Sequence, residues 1–191
     1  MKTILKGKIL TVPNALSLLR ILLIPLFVWL YLGKKDVYGT VLVLLLSGVS
    51  DVLDGWIARH FDMVSDFGKA LDPLADKLTQ LAMLCCLLIR FPKMLALIIL
   101  LCVKELFVAA THLAAIRKTE IVMGADWHGK AATCILYGVM TVHLLWPSIS
   151  ETASWALVGA AMLMILLSGI LYGIRNIQTA KRGSDKGRTI V

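Results

Sequence analysis

Four aspartates in one part of the chain form two pairs that could bind a cation. Asp51 and Asp54 are three positions apart, and Asp72 and Asp76 are four apart. On α-helices these spacings place both carboxylates of a pair on one face. Like charges this close repel unless a cation neutralises them, and carboxylate oxygens suit Mg²⁺ or Mn²⁺. The spacing therefore predicts a divalent-metal site.

Small residues beside the aspartates leave room for a bulky ligand. Gly55 and Gly68 each lie within one helical turn of an aspartate, and glycine lets a ligand approach the backbone closely. Ala58 lies one turn after Asp54, and its small side chain leaves space on that face of the helix. Arg59 follows it and carries a guanidinium group suited to phosphate. A phosphate-containing ligand at the metal site is therefore expected.

The elements that must position the aspartates are long apolar segments. The chain is 59% hydrophobic and 17% charged, whereas soluble domains are roughly 45–50% apolar and about 25% charged. A membrane-spanning helix needs about 20 mostly apolar residues. Six segments approach or reach that length: Val12–Leu32, Val37–Ile57, Ala70–Ile89, Met94–Ile116, Ala131–Trp146 and Ala153–Ile174. The sequence thus predicts an all-α integral membrane protein of six transmembrane helices, forming a single domain over residues 1–180.

The net charge of +8 indicates membrane topology rather than nucleic-acid binding. One side of the predicted membrane receives Lys2, Lys6, Lys8, Arg59, Arg117, Lys118, Lys130, Arg175, Lys181, Arg182, Lys186 and Arg188. The other side receives only Lys34, Lys35, Arg90 and Lys93. By the positive-inside bias both termini are cytoplasmic. Residues 1–11 are expected to form a short amphipathic segment on the membrane surface, and residues 181–191 a basic tail.

The aspartate pairs lie at the end of the second predicted span and the start of the third. An antiparallel hairpin would bring all four carboxylates together at the cytoplasmic surface. A carboxylate costs about 2.5–3.5 kcal/mol at the bilayer centre, so four of them need a function. A divalent-cation transporter is one alternative, since aspartates also line ion pathways. Clustering at one end of the spans favours a binding site instead.

With these residues placed, the chain resembles a known family. Asp51-x2-Asp54-Gly55-x2-Ala58-Arg59-x8-Gly68-x3-Asp72-x3-Asp76 is similar, at every fixed position, to the signature of the CDP-alcohol phosphotransferases. The resemblance extends to VPNALSLLRILLIP at 12–25, LDPLADK at 71–77 and LSGILY at 167–172, which are similar to segments of bacterial phosphatidylglycerophosphate synthases.

The resemblance implies a homodimeric enzyme of the bacterial cytoplasmic membrane with its active site facing the cytoplasm. The donor would be CDP-diacylglycerol, and CMP would leave. One or two Mg²⁺ or Mn²⁺ ions would be held by Asp51, Asp54 and Asp72. Asp76 would be the general base and could also touch a metal. The nucleotide seat would be formed by Asp51, Asp54, Gly55, Ala58, Arg59 and Gly68.

A second, basic set of residues suggests the acceptor. It comprises Lys104, Arg117, His128 and Lys130, joined by Thr133 because Gly129-Lys130-x2-Thr133 resembles an element of the same synthases. These residues could bind the phosphate of glycerol 3-phosphate. Alternative acceptors are phosphatidylglycerol, as in cardiolipin synthases, serine or an inositol phosphate. Lys104 and His112 stand where the synthases usually carry arginine, and Lys104 could simply pair with Glu105.

Overall fold

The structure is a computed structural model that describes residues 11–60, 66–119 and 126–188. Every regular element in these ranges is helical, which confirms the predicted all-α class. The α-helices are α1 (Val12–Val28), α2 (Val37–His60), α3 (Asp66–Leu88), α4 (Met94–Thr119), α5 (Trp127–Leu145) and α6 (Glu151–Arg188). A π-helical segment, Trp29–Lys34, continues α1. The amphipathic segment expected over residues 1–11 lies outside the described residues except for Thr11.

Helix ends follow the local chemistry of the sequence. The Thr11 hydroxyl accepts the Asn14 N–H at 3.4 Å at the start of α1, as a helix N-cap requires. The π-helical segment ends at Lys35, which has a left-handed backbone with φ of 54°. Asp126 occupies the N-cap position of α5, so the fifth apolar helix begins four residues before the predicted Ala131. That added turn brings it closer to the length of a span.

Within the described ranges, three helical segments are long and apolar enough to cross a membrane: Asn14–Lys34, Met94–Ile116 and Glu151–Lys181. A shorter apolar helical segment covers Val37–Ser50. The chain is therefore a membrane protein, with half of the six predicted spans identified by length and composition. At 38 residues, α6 is about 57 Å long and exceeds a hydrocarbon core of about 30 Å. The basic tail expected from residue 181 continues as helix to Arg188.

The helices form two compact units, Met1–Arg90 and Phe91–Val191. In the first unit α1 packs against both α2 and α3, and Phe27, Leu84 and Leu87 are fully buried. In the second unit α6 packs against both α4 and α5. Each unit is thus organised around one helix that contacts the other two.

The glycines of α6 allow the close approach of α4. A Cβ added to Gly169 would lie 3.1 Å from Lys104 Cγ, and one added to Gly173 would lie 2.6 Å from Phe107 Cε1. Further along, the Asn176 amide donates to the Thr111 hydroxyl at 3.0 Å. Residue numbers rise together on both helices, so α4 and α6 are parallel. The Gly169-x3-Gly173 spacing therefore serves a contact within the chain.

A histidine of α5 contacts α6, and the contacts between these two helices show that they run in opposite directions. His143 Nδ1 lies 2.7 Å from the Val139 carbonyl oxygen, and Nε2 lies 2.7 Å from Ser154 Oγ. A carbonyl can only accept, so Nδ1 carries the proton and Nε2 accepts from the serine hydroxyl. His143 and Ser154 are each 1% exposed. Because His128 meets Ser168 at the other end, α5 is antiparallel to α6.

Ser154→Ala should lower stability by about 1–3 kcal/mol, since it leaves a buried imidazole nitrogen without its donor. Thermal unfolding in detergent is the measurement. Ser148→Ala, at an exposed serine in the turn before α6, is the matched control and should unfold at the wild-type temperature. Equal melting temperatures for all three proteins would show that the hydrogen bond contributes nothing.

Candidate active site

The predicted metal ligands lie on two helices of the first unit. Asp51 and Asp54 belong to the second half of α2, and Asp72 and Asp76 to the first half of α3. The helical spacing expected for each pair is therefore confirmed. The side chains at 51, 54, 58 and 59, together with Gly55, lie outside the described residues. Gly68 is buried in the first turn of α3.

Neutral donors orient the two aspartates of α3. The Ser17 hydroxyl of α1 donates to Asp72 Oδ1, and the Gln80 amide donates to Asp76 Oδ2 at 2.8 Å. Ser17 and Gln80 are fully buried, whereas both aspartates are partly exposed. A hydroxyl or amide fixes the direction of a carboxylate without cancelling its charge.

A buried polar stripe on α1 is a part of the site that the sequence reasoning missed. Asn14, Ser17 and Arg20 follow one another at intervals of three residues and are 5%, 0% and 2% exposed. Ionisable groups within apolar spans are rare and usually functional. The signal was present in the sequence, because three polar residues share one face of a helix that is otherwise apolar.

The chemistry of the described ligands fits a hard divalent cation. Asp72 and Asp76 offer carboxylate oxygens one helical turn apart, which suits Mg²⁺ or Mn²⁺ and not a sulfur-seeking metal. Among the described side chains, no three His, Cys, Asp or Glu groups come together. Two of the four predicted ligands, Asp51 and Asp54, are outside that set.

The second unit contains a cluster of charged and aromatic groups around Tyr172. Lys104 Nζ lies 2.7 Å from Glu105 Oε1, which confirms the pairing considered from the sequence, and 5.9 Å from the Tyr172 ring centroid. Arg175 Nη1 lies 2.6 Å from Asp126 Oδ2, and its guanidinium carbon is 4.9 Å from the same ring centroid. Two cations thus share one aromatic ring.

The structure brings Lys104 and His128 to this ring. The His128 and Tyr172 ring centroids are 4.4 Å apart, and His128 also contacts Ser168 Oγ at 3.3 Å and Asp126 Oδ2 at 3.2 Å. His128 is buried. It therefore acts here as a packed and hydrogen-bonded residue of the α5–α6 contact.

The remaining predicted acceptor residues differ in their exposure and in whether their side chains are described. Lys130 is exposed on α5, and Thr133 is half-buried one turn later. The side chain of Arg117, at the end of α4, lies outside the described residues. His112 Nε2 is buried without a hydrogen-bond partner in the part of the chain that the structure describes. Of the four predicted residues whose side chains the structure describes, Lys104 and His128 lie at the Tyr172 ring.

Sequence reasoning missed Asp126, Ser168, Tyr172 and Arg175 as members of this cluster. Arg175 was interpreted as a topology charge, and Tyr172 was noted only at the end of a motif. Their signal was weak because the contacts join positions some 40 residues apart, such as the Asp126 amide and the Tyr172 hydroxyl.

Comparisons with known proteins identify the family of the chain. Residues 10–168 match the model of the CDP-alcohol phosphatidyltransferase family. The chain is 34% identical to "Cardiolipin synthase (CMP-forming)" of Streptomyces coelicolor, over 88% of this chain and 83% of that protein. It is 28% identical to "Probable phosphatidylglycerophosphate synthase" of Mycobacterium tuberculosis, over 91% and 85% of the two chains.

A third relative matches a shorter region. The "CDP-diacylglycerol--glycerol-3-phosphate 3-phosphatidyltransferase" of Rickettsia typhi is 38% identical over 35% of this chain and 38% of that protein. The family match covers α1 to α5 and the part of α6 up to Ser168, including both aspartate pairs. With its aspartates on two consecutive helices and its similarity running through nearly the whole chain, this protein belongs to the CDP-alcohol phosphatidyltransferase family.

Proposed function

We propose that this transferase moves the phosphatidyl group of CDP-diacylglycerol to a glycerol hydroxyl of a phosphate-bearing acceptor, glycerol 3-phosphate in the first place, and releases CMP. The observation that carries the proposal is the set of two aspartate pairs on α2 and α3 in a chain that matches CMP-forming and glycerol-3-phosphate-using enzymes. The product enters phospholipid synthesis.

The reaction is a displacement at phosphorus. Asp76 takes the proton of the acceptor hydroxyl, and the oxygen forms a bond to the phosphorus that carries diacylglycerol. The pyrophosphate P–O bond breaks, and its electrons leave with CMP. Gln80 holds the Asp76 carboxylate in place through the 2.8 Å hydrogen bond. A bound Mg²⁺ or Mn²⁺, one or two ions, would supply charge neutralisation at the pyrophosphate.

The remaining predicted residues divide between the metal and the nucleotide. Asp51, Asp54 and Asp72 would hold the metal, with Asp76 as a possible fourth ligand. The nucleotide seat comprises Asp51, Asp54, Gly55, Ala58, Arg59 and Gly68. Gly68 lies in the first turn of α3, and the absence of a side chain there supports this assignment because glycine lets a ligand approach the backbone.

The membrane arrangement follows from the charge distribution. We propose that six helices span a bacterial cell membrane and that both termini and the active site face the cytoplasm. We also expect a homodimer. This topology puts Lys130 and the basic end of α6 on the same side as the aspartates. The lipid tails of the donor then stay in the bilayer.

Phosphatidylglycerol is the second candidate acceptor. The specific observation in its favour is that Lys104 and Arg175 are each paired with a carboxylate, Glu105 and Asp126. A phosphodiester with one charge needs fewer uncommitted cations than a phosphomonoester. The 34% identity to a protein named cardiolipin synthase points to the same acceptor.

The test is release of CMP from CDP-diacylglycerol by the purified protein with Mg²⁺ and one acceptor at a time. Release with glycerol 3-phosphate is the expected result and supports the first proposal. Release with phosphatidylglycerol alone would select the second candidate. Release of CMP only with serine or only with inositol phosphate would overturn both candidates. Failure to release CMP with any of the acceptors would also overturn both. Divalent-cation flux into vesicles without any nucleotide would instead support a transporter.

Lys130→Ala should raise the KM for glycerol 3-phosphate about 10-fold and leave the donor KM unchanged, because it removes one exposed cation from the acceptor's approach. Steady-state CMP release with each substrate varied in turn is the measurement. Lys35→Ala, at an exposed lysine beyond the π-helical segment, is the control. If Lys130→Ala affected only the donor KM, Lys130 would be misassigned.

A further inference from the structure

The Tyr172 side chain of α6 fills the space beside the first turn of α5. Its hydroxyl accepts the backbone N–H of Asp126 at 2.9 Å, and Asp126 is the N-cap residue of α5. The first amides of a helix have no partner within the helix, so an outside acceptor there stabilises the helix start. Tyr172 is only 8% exposed, which restricts the directions in which its ring can move.

The same side chain explains the glycine at position 129. A Cβ on Gly129 would lie 2.3 Å from Tyr172 Oη and 2.9 Å from Cε2. Atoms do not approach so closely, so any larger residue at 129 would displace the ring or the helix. Gly129 and Tyr172 thus form a contact that fixes the distance between α5 and α6 at this level.

The Tyr172 ring is also the common surface for three basic groups. His128, Arg175 and Lys104 lie 4.4, 4.9 and 5.9 Å from its centroid. The electron-rich face of an aromatic ring attracts cations, and the edge-to-face arrangement of the His128 and Tyr172 rings is a favourable aromatic contact. Movement of the ring would therefore alter the position of the basic cluster as well as the start of α5.

We propose that Tyr172 is a positioning residue for acceptor specificity, and this rests on the proposed function. Through the Asp126 amide and Gly129 it fixes the first turn of α5, which carries His128 and Lys130. The tyrosine does not itself touch the reacting atoms. Its hydroxyl sets where the basic groups meet the phosphate of the acceptor.

Tyr172→Phe tests the hydroxyl while keeping the ring. We expect the acceptor KM to rise about 3- to 10-fold, the effect of losing one hydrogen bond, with kcat and the donor KM unchanged. Hydrogen exchange of the Asp126 amide should become faster in the same variant. An unchanged acceptor KM would overturn the proposal, whatever the exchange rate of the Asp126 amide. A lower kcat together with equal increases in both KM values would also overturn it.

A pair of glycine substitutions on α5 tests the packing. Gly129→Ala should raise the acceptor KM more than Tyr172→Phe does, because the methyl group meets both the hydroxyl and the ring. Gly138→Ala is the matched control, since a Cβ there has nothing within 4 Å, and its kinetics should equal those of the wild type. The double variant Gly129→Ala/Tyr172→Phe should be less impaired than the product of the single effects predicts, since the shortest contact is gone. Strict additivity would contradict the proposed contact.

These outcomes separate the inference from the proposed function. If the wild type releases no CMP with either glycerol acceptor, the proposed function fails and the inference fails with it. If the wild type is active but Tyr172→Phe keeps its acceptor KM, only the role of Tyr172 is wrong.

Discussion

Asp76→Asn should reduce kcat for CMP release by about 10²- to 10⁴-fold, the range of a general base, and leave donor binding nearly intact. Asparagine has almost the shape of aspartate and still offers an oxygen to the Gln80 amide, which lies 2.8 Å from Asp76 Oδ2. It cannot take a proton from the acceptor hydroxyl. The measurements are kcat at saturating substrates and the Kd for CDP-diacylglycerol.

Asp36→Asn is the matched control for this prediction. Asp36 is an exposed aspartate of the same unit, and its Oδ1 accepts the Gly39 N–H at 2.9 Å near the start of α2. Asparagine preserves that hydrogen bond and serves equally well at a helix start. The control should therefore keep the wild-type kcat. If Asp76→Asn also kept a kcat within about 3-fold of the wild type, Asp76 would not be the base.

The sequence was most informative where interactions are local. Apolar segments of span length predicted the helices, and the three- and four-residue spacings predicted which aspartates share a helix face. Both features depend on residues within one or two turns of each other. The structure agrees with each of these because helix geometry determines them without reference to the rest of the chain.

Residues that act through distant contacts could not be found in the same way. Tyr172 meets Asp126, His128 and Gly129 only because α5 and α6 are antiparallel neighbours. By residue type alone Arg175 counts as one of the positive charges that set membrane topology, yet its guanidinium pairs with Asp126. The π-helical continuation of α1 has no pattern in residue type that separates it from an ordinary helix.

The basic cluster shows why a charge count is a poor guide to acceptor choice. Lys104 and Arg175 are both cationic, but Glu105 and Asp126 lie within 2.7 Å and 2.6 Å of them. Carboxylates at such distances hold long side chains in place and also offset part of their charge. Under the proposed function we therefore expect the acceptor to be recognised by the position of the basic groups as much as by their charge, which gives the start of α5 its importance.

Asp72→Asn should weaken Mg²⁺ activation, because Asp72 is proposed as a metal ligand. The amide has one oxygen and no charge, so the Mg²⁺ concentration for half-maximal CMP release should rise about 100-fold or more, and excess Mg²⁺ should restore part of the rate. Activity measured against Mg²⁺ concentration tests this. A rate that stays low at every Mg²⁺ concentration would assign Asp72 a role other than metal binding.

Ser17→Ala tests the proposed metal site without changing any of the four aspartates. Ser17 is fully buried and donates to Asp72 Oδ1, so its loss should raise the Mg²⁺ requirement about 10-fold, the lower end of the effect of a residue that orients a metal ligand. Thr40→Val removes a comparably buried hydroxyl whose bond, 2.7 Å long, is to the Asp36 carbonyl, and it should leave the Mg²⁺ requirement unchanged. Equal Mg²⁺ curves for Ser17→Ala and the wild type would mean that the α1 hydroxyl serves helix packing alone. A Mg²⁺ shift seen only in Ser17→Ala would tie the Ser17 hydroxyl to the metal through Asp72.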